Sequence, residues 1–206
     1  SGADEYLSKP VTSQELIQRV DSLLTKRTPQ TKPGAGMMLA LFGMRGGDGR
    51  TTLAVNLAAA LRRVSQQEVC LVEWTPSSGQ AIAHLRLQAR TTWADLLAVE
   101  QLNWETLKNR LVIHPTGLRL LAAPKQPQLP SVLSQETARP VLGTLREEMA
   151  FTIVDLPPIL NPALHATLEM ADMAMHVISP DVVSVQTAVY MNDYMARKGL
   201  KPRQKT

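Results

Sequence analysis

Short apolar runs alternate with segments that carry apolar residues at helical spacing along most of this chain. The runs at 37–42, 68–74, 151–155 and 175–180 have the length of buried strands and are bounded by turn residues. Strands that alternate with helices predict an α/β fold with a mostly parallel sheet flanked by helices. In such folds the ligand site lies at the carboxyl ends of the strands, so the residues that follow each run are the first candidates for function.

The rest of the pattern predicts elements of less regular length. Residues 80–110 are predicted to be helical, with apolar clusters around Trp93 and Trp104 that we assign to the core. Two short strands joined by a Pro-Thr-Gly turn are expected within 111–124. A helix pair is expected over 130–149, and a last helix is expected to begin near Asp181.

A glycine-rich stretch separates the first strand from an apolar helix that covers 53–61. Glycines let successive backbone N–H groups point inward as a nest for anionic oxygens, and the start of a helix adds its positive dipole end. An inert glycine-rich turn is the alternative interpretation. The pattern predicts a phosphate-binding loop formed by Gly46, Gly47, Gly49, Arg50, Thr51 and Thr52.

This loop departs from the Walker A pattern G-x-x-x-x-G-K-[ST]. Met44 stands at the first glycine, and Arg50 replaces the lysine, so a wide planar fork takes the place of a compact ammonium. Asp48 is expected to repel a phosphate, or to compete with it for Arg45 and Arg50. The positive charge of the motif is kept, but its geometry is altered.

A candidate magnesium site is formed by Thr51 and Asp155. Thr51 stands where the hydroxyl ligand of a phosphate-bound Mg²⁺ would come from, and Asp155 ends the run 151–155. A carboxylate at the end of a strand can hold Mg²⁺ through water. The alternative is that Asp155 only caps an Asp-x-Pro turn.

The charge, aromatic content and cysteine count of the chain limit the classes of function that it can have. The 206 residues carry a net charge of +4, and basic residues cluster at 26–32 and 197–205, which leaves DNA contact open as an alternative. Aromatic residues make up 4% of the chain, which argues against binding of single strands by base stacking. The single cysteine, Cys70, lies in an apolar run and is expected to be a buried thiol, as suits a cytoplasmic protein.

Residues 1–27 differ in character from the rest. The pattern G-A-D-x-Y-L-x-K-P at 2–10 precedes an amphipathic helix and resembles the C-terminal end of a response-regulator receiver domain. That resemblance implies that the acceptor aspartate would lie upstream; a strand–helix decoration of the main domain is the alternative. Residues 28–36 contain two prolines and two glycines and are predicted to be a linker. The main domain is expected to occupy 37–206.

The motifs of the main domain resemble those of MinD/ParA-type ATPases. The sequence R-G-G-D-G-R-T-T at 45–52 is similar to the deviant Walker A motif K-G-G-x-G-K-T-T, and E-W-T-P-S-S-G at 73–79 is similar to D-x-D-P-x-x-G. The resemblance implies ATP and Mg²⁺ as cofactors and a homodimer in which Arg45 reaches across the sandwiched nucleotide. It gives Asp155, Arg45 and Glu73 as candidate catalytic residues. Because Thr75 replaces the second aspartate and a threonine hydroxyl keeps its proton near neutral pH, hydrolysis is expected to be weak or absent.

One further motif resembles a particular branch of these ATPases. H-P-x-G-L-x-x-L-A-A-P at 114–124 is similar to the CpaE/TadZ branch, whose members often join a receiver-like domain to a MinD/ParA-like domain and serve pilus assembly. The resemblance implies a localisation or scaffold factor with pilus or secretion assembly proteins as partners. The alternatives are a ParA-like DNA-associated partition ATPase and a response-regulator output domain in a phosphorelay, with ATP-switched dimerisation. Members of the family continue beyond the position that corresponds to residue 206, so the domain is expected to be incomplete at its C-terminus.

Overall fold

The structure is a computed structural model that describes residues 12, 14, 15, 18, 35–76 and 79–200. The elements follow the alternation expected from the sequence, and two single 3₁₀ turns lie at Trp93–Leu96 and Pro130–Val132. In chain order they are β1 (Met37–Phe42), α1 (Arg50–Ser65), β2 (Val69–Glu73), α2 (Ala81–His84), α3 (Trp104–Lys108), β3 (Val112–Ile113), β4 (Arg119–Leu121), α4 (Gln135–Glu148), β5 (Phe151–Asp155), α5 (Pro162–Met170), β6 (Met173–His176) and α6 (Val182–Lys198).

The described strands form one six-stranded sheet in the order β3-β4-β2-β5-β1-β6. Every neighbouring pair is parallel except the β3–β4 hairpin, so the predicted fold class is confirmed. β5 lies between β1 and β2, and its last residue, Asp155, is in register with Leu41 of β1 and Glu73 of β2. The three loops that follow these strands therefore open at the same edge of the sheet.

The alternating side chains of β1 divide between two apolar cores. Met38, Ala40 and Phe42 pack on the side that α4 and α5 cover. Leu39 and Leu41 pack on the opposite side, against α1. Because both faces of the sheet are covered by helices, the central strands are continuous apolar runs, as a buried parallel sheet requires.

The region 80–110 is less helical than its apolar spacing predicts. It contains α2, one 3₁₀ turn and α3, with irregular chain between them. A capping box of Thr92 and Asp95 starts the 3₁₀ turn, and the Asn103 side chain caps α3. Since cap residues start new turns here, the apolar clusters belong to short separate elements. Likewise, the helix pair expected over 130–149 is one helix, α4, preceded by a 3₁₀ turn.

The two tryptophans that were predicted to lie in the core are buried to different degrees. Trp93 is fully buried, lies edge-on to Trp74 at 6.2 Å, and donates a hydrogen bond from Nε1 to the Thr75 carbonyl oxygen at 3.1 Å. Trp104 is half-buried against the same core, and the Arg119 guanidinium lies 6.0 Å from its ring centre. Both tryptophans therefore serve packing.

The structure describes only part of the two N-terminal segments that the sequence predicts. The expected receiver-like segment 1–27 lies outside the described residues, except that the Thr12 hydroxyl and the Glu15 carboxylate exchange capping hydrogen bonds. Gly36, which the sequence places in the linker, is fixed on the end of α4 by a hydrogen bond from its N–H to the Arg146 carbonyl at 2.7 Å. In the described ranges, no helix combines the length and apolar character that crossing a bilayer requires.

Candidate functional site

The loop from Gly43 to Gly49 joins β1 to α1 at the carboxyl edge of the sheet. Gly47 (φ 88°) and Gly49 (φ 78°) have left-handed backbones, and Gly49 is the N-cap of α1 without a side-chain cap. A Cβ added at Gly46 or Gly47 would meet nothing within 4 Å. Among the described residues, the N–H groups of these two glycines have no acceptor. The loop therefore has exposed backbone N–H groups that an anion can reach.

Arg50 forms the floor of this loop. Its Nε donates to Asp155 Oδ1 at 3.0 Å, and its Nη1 donates to the Gly43 carbonyl oxygen at 3.1 Å. The pair is well shielded from solvent, with side-chain exposures of 12% for Arg50 and 4% for Asp155. The guanidinium thus spans the space between the start of the loop and the end of β5.

Thr51 and Asp155 meet, as the candidate metal site requires. The Thr51 hydroxyl donates to Asp155 Oδ2 at 2.6 Å, which still leaves hydroxyl lone pairs for another ligand. Burial raises the pKa of Asp155, and the hydrogen bond from Thr51 and the charge of Arg50 oppose that rise. These two neighbours favour the charged form of the carboxylate, and burial disfavours it.

The same contacts test whether these residues fit Mg²⁺. Arg50 Nε occupies one lone pair of Asp155 Oδ1, so a metal-bound water would have to share this oxygen with the guanidinium. The guanidinium also places a positive charge beside the position that a dication would take. With Arg50 in this place, the residues do not fit a divalent cation.

Glu73, expected among the catalytic residues, holds a neighbouring turn. Its Oε1 accepts hydrogen bonds from the N–H groups of Gln80 at 2.7 Å and Ala81 at 3.0 Å, at the start of α2. Its Oε2 is buried and has no hydrogen-bond partner among the described residues. Burial raises the pKa of Glu73, and the hydrogen bonds from Ala81 and Gln80 oppose this rise. The observed contacts are structural, and a catalytic role stays a prediction.

The acidic residue within the loop has a different partner from the expected one. Asp48 is buried, and its Oδ1 accepts a hydrogen bond from the Ser179 hydroxyl at 2.6 Å. The ion pairs of the two arginines are made elsewhere, Arg50 with Asp155 and Arg45 with Asp181. The expected competition for these arginines is thus replaced by a link from the loop to the segment after β6.

Arg45 is held within its own chain. Its Nη1 lies 3.0 Å from both carboxylate oxygens of Asp181 and 3.2 Å from the Ser184 hydroxyl. Asp181 is also the N-cap of α6, where it accepts from the Ser184 N–H at 3.0 Å. This pair is about half exposed, so it is easier to open than the Arg50 pair.

Sequence reasoning missed the polar residues after β6 as partners of the loop. Ser179, Asp181 and Ser184 follow a strand at the edge where the site lies, and that position was the available signal. Thr52, by contrast, is exposed on the first turn of α1, and its carbonyl accepts from Asn56 Nδ2. Its predicted nucleotide contact stays a prediction.

Comparison with known families identifies one match over the main domain. The family described as cellulose biosynthesis protein BcsQ matches residues 37–190, which include the loop, Glu73, Asp155 and Asp181. Residues 1–36 lie outside that match.

Two curated proteins are similar in sequence. The chain is 26% identical to the ESX-1 secretion-associated protein EspI of Mycobacterium tuberculosis over 169 residues, which are 81% of this chain and 25% of EspI. It is 32% identical over 178 residues to the chromosome-partitioning ATPase Soj of Thermus thermophilus, which are 80% of this chain and 64% of Soj. The chain therefore spans a quarter of the length of EspI and less than two thirds of the length of Soj.

Solved structures share the fold at low sequence identity. A ParA family ATPase from Chlorobium tepidum TLS superposes with a TM-score of 0.74 and 19% identity, covering 82% of this chain and 71% of that chain. The septum site-determining protein MinD from Pyrococcus horikoshii OT3, complexed with Mg-ADP, gives a TM-score of 0.65 and 20% identity, covering 81% and 68%. The fold is that of MinD and ParA ATPases, and the MinD structure with this fold is complexed with Mg-ADP.

Proposed function

The chain belongs to the family described as cellulose biosynthesis protein BcsQ, and from that membership we propose a localisation or scaffold factor of pilus or secretion assembly. In this proposal the loop between β1 and α1 binds ATP weakly, and hydrolysis is slow or absent. The main observation behind the proposal is the shielded ion pair of Arg50 and Asp155, because the two side chains on which turnover would depend bind each other.

Weak nucleotide binding is supported by the backbone of the loop. The left-handed glycines and the start of α1 provide N–H groups and a helix dipole whatever the side chains are. Arg50 keeps a positive charge beside these groups. Binding of a phosphate chain therefore does not require the lysine of the Walker A pattern.

Slow hydrolysis is supported by what lies around Asp155. Thr75 replaces the aspartate expected near the attacking water, and a hydroxyl does not accept a proton at neutral pH. Loss of one preorganised electrostatic group typically lowers a rate by about 10²–10³. Since Arg50 also engages Asp155, two such groups are altered together.

The assembly role is supported by the names of related proteins and by one motif. EspI is named as secretion-associated, and the matching family is named for cellulose biosynthesis. The motif H-P-T-G-L-R-L-L-A-A-P at 114–124 resembles the CpaE/TadZ branch. In the structure this motif forms the turn after β3 and strand β4; Pro115 and Thr116 of the turn are exposed, whereas the leucines of β4 are buried.

A homodimer is part of the proposal, and Arg45 is its candidate bridging residue. In the structure Arg45 binds Asp181 of its own chain. Dimerisation would require Arg45 to exchange Asp181 for the phosphate of a nucleotide on the second protomer. The half-exposed position of the pair makes this exchange accessible.

Calorimetric titration with ATP and a phosphate-release assay test the proposal together. The expected result is measurable binding with turnover far below that of a ParA-type ATPase measured in parallel. Rapid turnover would contradict the scaffold role, and absence of binding would restrict the protein to a scaffold without a nucleotide switch. Arg90→Lys, at an exposed position away from the loop, serves as the control.

A ParA-like partition ATPase is the second candidate, supported by the 32% identity to Soj and by the basic clusters of the sequence. It predicts association with duplex DNA that weakens steeply as salt is raised. A flat binding curve at low salt would remove this candidate. The response-regulator output domain requires an upstream receiver, and phosphorylation-dependent dimerisation of a longer chain would test it.

A further inference from the structure

We infer that the loop between β1 and α1 takes the phosphate chain of a nucleotide as a free anion, without a divalent cation, and that the Arg50 guanidinium supplies the positive charge. This inference rests on the nucleotide binding proposed above. It specifies the chemical form of the ligand, which is the uncomplexed nucleotide rather than its magnesium chelate.

The first argument is the position of the guanidinium. Arg50 Nε binds Asp155 Oδ1 at 3.0 Å, and Arg50 Nη1 binds the Gly43 carbonyl oxygen at 3.1 Å. The Thr51 hydroxyl binds the other carboxylate oxygen, Oδ2, at 2.6 Å. These contacts occupy one acceptor position on each oxygen of Asp155 and place a cation that belongs to the chain beside the position that a magnesium ion would take.

The second argument is that this arrangement is anchored at both ends. A lysine ammonium is a single point charge, whereas the arginine fork makes two hydrogen bonds in fixed directions, one to each side of the loop. The side chain is buried beneath the loop, so moving it would leave Asp155 without its ion-pair partner in a shielded place. Arg50 is therefore expected to remain on Asp155 when a ligand binds.

The third argument is that donors remain for the ligand. Among the described residues, the hydrogen bonds of Arg50 use one N–H on Nε and one on Nη1, and the guanidinium carries further N–H bonds. The N–H groups of Gly46 and Gly47 belong to the same loop and have no acceptor among the described residues. Phosphate oxygens can thus bind protein donors alone.

Calorimetry with ATP as the titrant tests this inference on the whole chain, once with excess Mg²⁺ and once with excess EDTA. The wild-type protein is expected to bind ATP in EDTA with a Kd within about threefold of that in Mg²⁺. Arg50→Lys is expected to regain dependence on the metal, with Mg²⁺ tightening binding by about tenfold, because lysine cannot hold both Gly43 and Asp155. Arg90→Lys is the matched control and should behave as the wild type.

The outcomes separate the two proposals. Binding in Mg²⁺ that is lost in EDTA would overturn metal independence and leave the proposed nucleotide binding intact. Absence of binding in both conditions would overturn both. Mn²⁺ spectroscopy gives a second readout: the wild type with ATP is expected to add no protein-bound Mn²⁺ signal, whereas such a signal would show that Arg50 yields its place to a metal. Unchanged circular dichroism of Arg50→Lys verifies that the variant is folded.

Discussion

Arg50 Nε lies 3.0 Å from Asp155 Oδ1, a contact between residues 105 positions apart in the chain. It joins the first turn of α1 to the end of β5 beneath the glycine-rich loop. In a phosphate-binding loop of the usual type, a lysine faces the ligand and a metal lies beside the carboxylate. Here the Arg50 guanidinium binds the carboxylate and the start of the loop directly, so the proposed function makes ligand binding and stability of the loop depend on the same residue.

The first prediction concerns the stability of this pair. Arg50→Ala leaves Asp155 buried without its ion-pair partner, which is expected to lower the free energy of unfolding by about 3–5 kcal/mol. Urea denaturation followed by circular dichroism measures this change. Arg45→Ala breaks a half-exposed pair and should have little effect. Equal effects of the two substitutions would contradict a buried, structurally required Arg50 pair.

The second prediction concerns pH. The pKa of Glu73 is raised by burial, so as pH rises above its usual value near 4.5 the unfolded chain loses this proton before the folded chain does. The free energy of unfolding of the wild type therefore decreases as the pH rises above that value, until the pH exceeds the pKa of Glu73 in the folded protein. Glu73→Gln removes this contribution, so its stability relative to wild type should increase between about pH 4 and pH 7. An unchanged difference across that range would mean that folding does not shift the pKa of Glu73.

The control for this experiment is Glu100→Gln, at an exposed position, which should show no such change with pH. Asp155 also has a raised pKa and contributes the same sign of slope to both proteins. Because the charge of Asp155 is one cause of the raised pKa of Glu73, the comparison of variant with wild type reports Glu73 together with its interaction with Asp155.

The sequence was sufficient to predict the parts of the site that backbone geometry determines. An apolar run followed by glycines predicted β1 and its loop at the observed positions, and the meeting of parallel strand ends predicted that Thr51 would lie near Asp155. The layered α/β fold followed from the same alternation of elements.

The side-chain partners of the arginines could not be predicted in this way. Whether Arg50 faces a ligand or turns beneath the loop depends on packing with β5, and Arg45 could equally bind Asp48 or Asp181 at the level of charge alone. Helix content at 80–110 was overestimated for a related reason, because apolar spacing does not reveal that Asp95 caps a new turn.

The third prediction concerns the thiol. Burial raises the pKa of Cys70 to about 12, so the fraction of thiolate in the folded protein at neutral pH is negligible. The native protein is expected not to react with a disulfide reagent such as Ellman's reagent, and to react fully in urea. Rapid modification of the native protein would mean that the β2 region opens readily.

The fourth prediction compares two glycines. A Cβ at Gly36 would lie 1.7 Å from the Met149 carbonyl oxygen, whereas a Cβ at Gly143 would meet nothing within 4 Å. Gly36→Ala is expected to destabilise the protein by about 1–3 kcal/mol, because the start of β1 must move away from α4. Gly143→Ala, inside α4, should stabilise by about 0.5–1 kcal/mol. Thermal denaturation measures both, and a neutral Gly36→Ala would show that this junction is loosely packed.

The fifth prediction separates the two roles of Asp181. Its carboxylate accepts the Ser184 N–H as the cap of α6 and also binds Arg45. Asp181→Ala removes both interactions and should lower the urea midpoint, while Asp181→Asn keeps an oxygen for the cap and should leave the midpoint close to wild type. Asp181→Asn also frees Arg45, so light scattering with ATP should detect a larger dimer fraction if Arg45 bridges two protomers as proposed. If the dimer fraction is the same in wild type and Asp181→Asn, then the Arg45 pair does not limit association, and the bridging role passes to another residue.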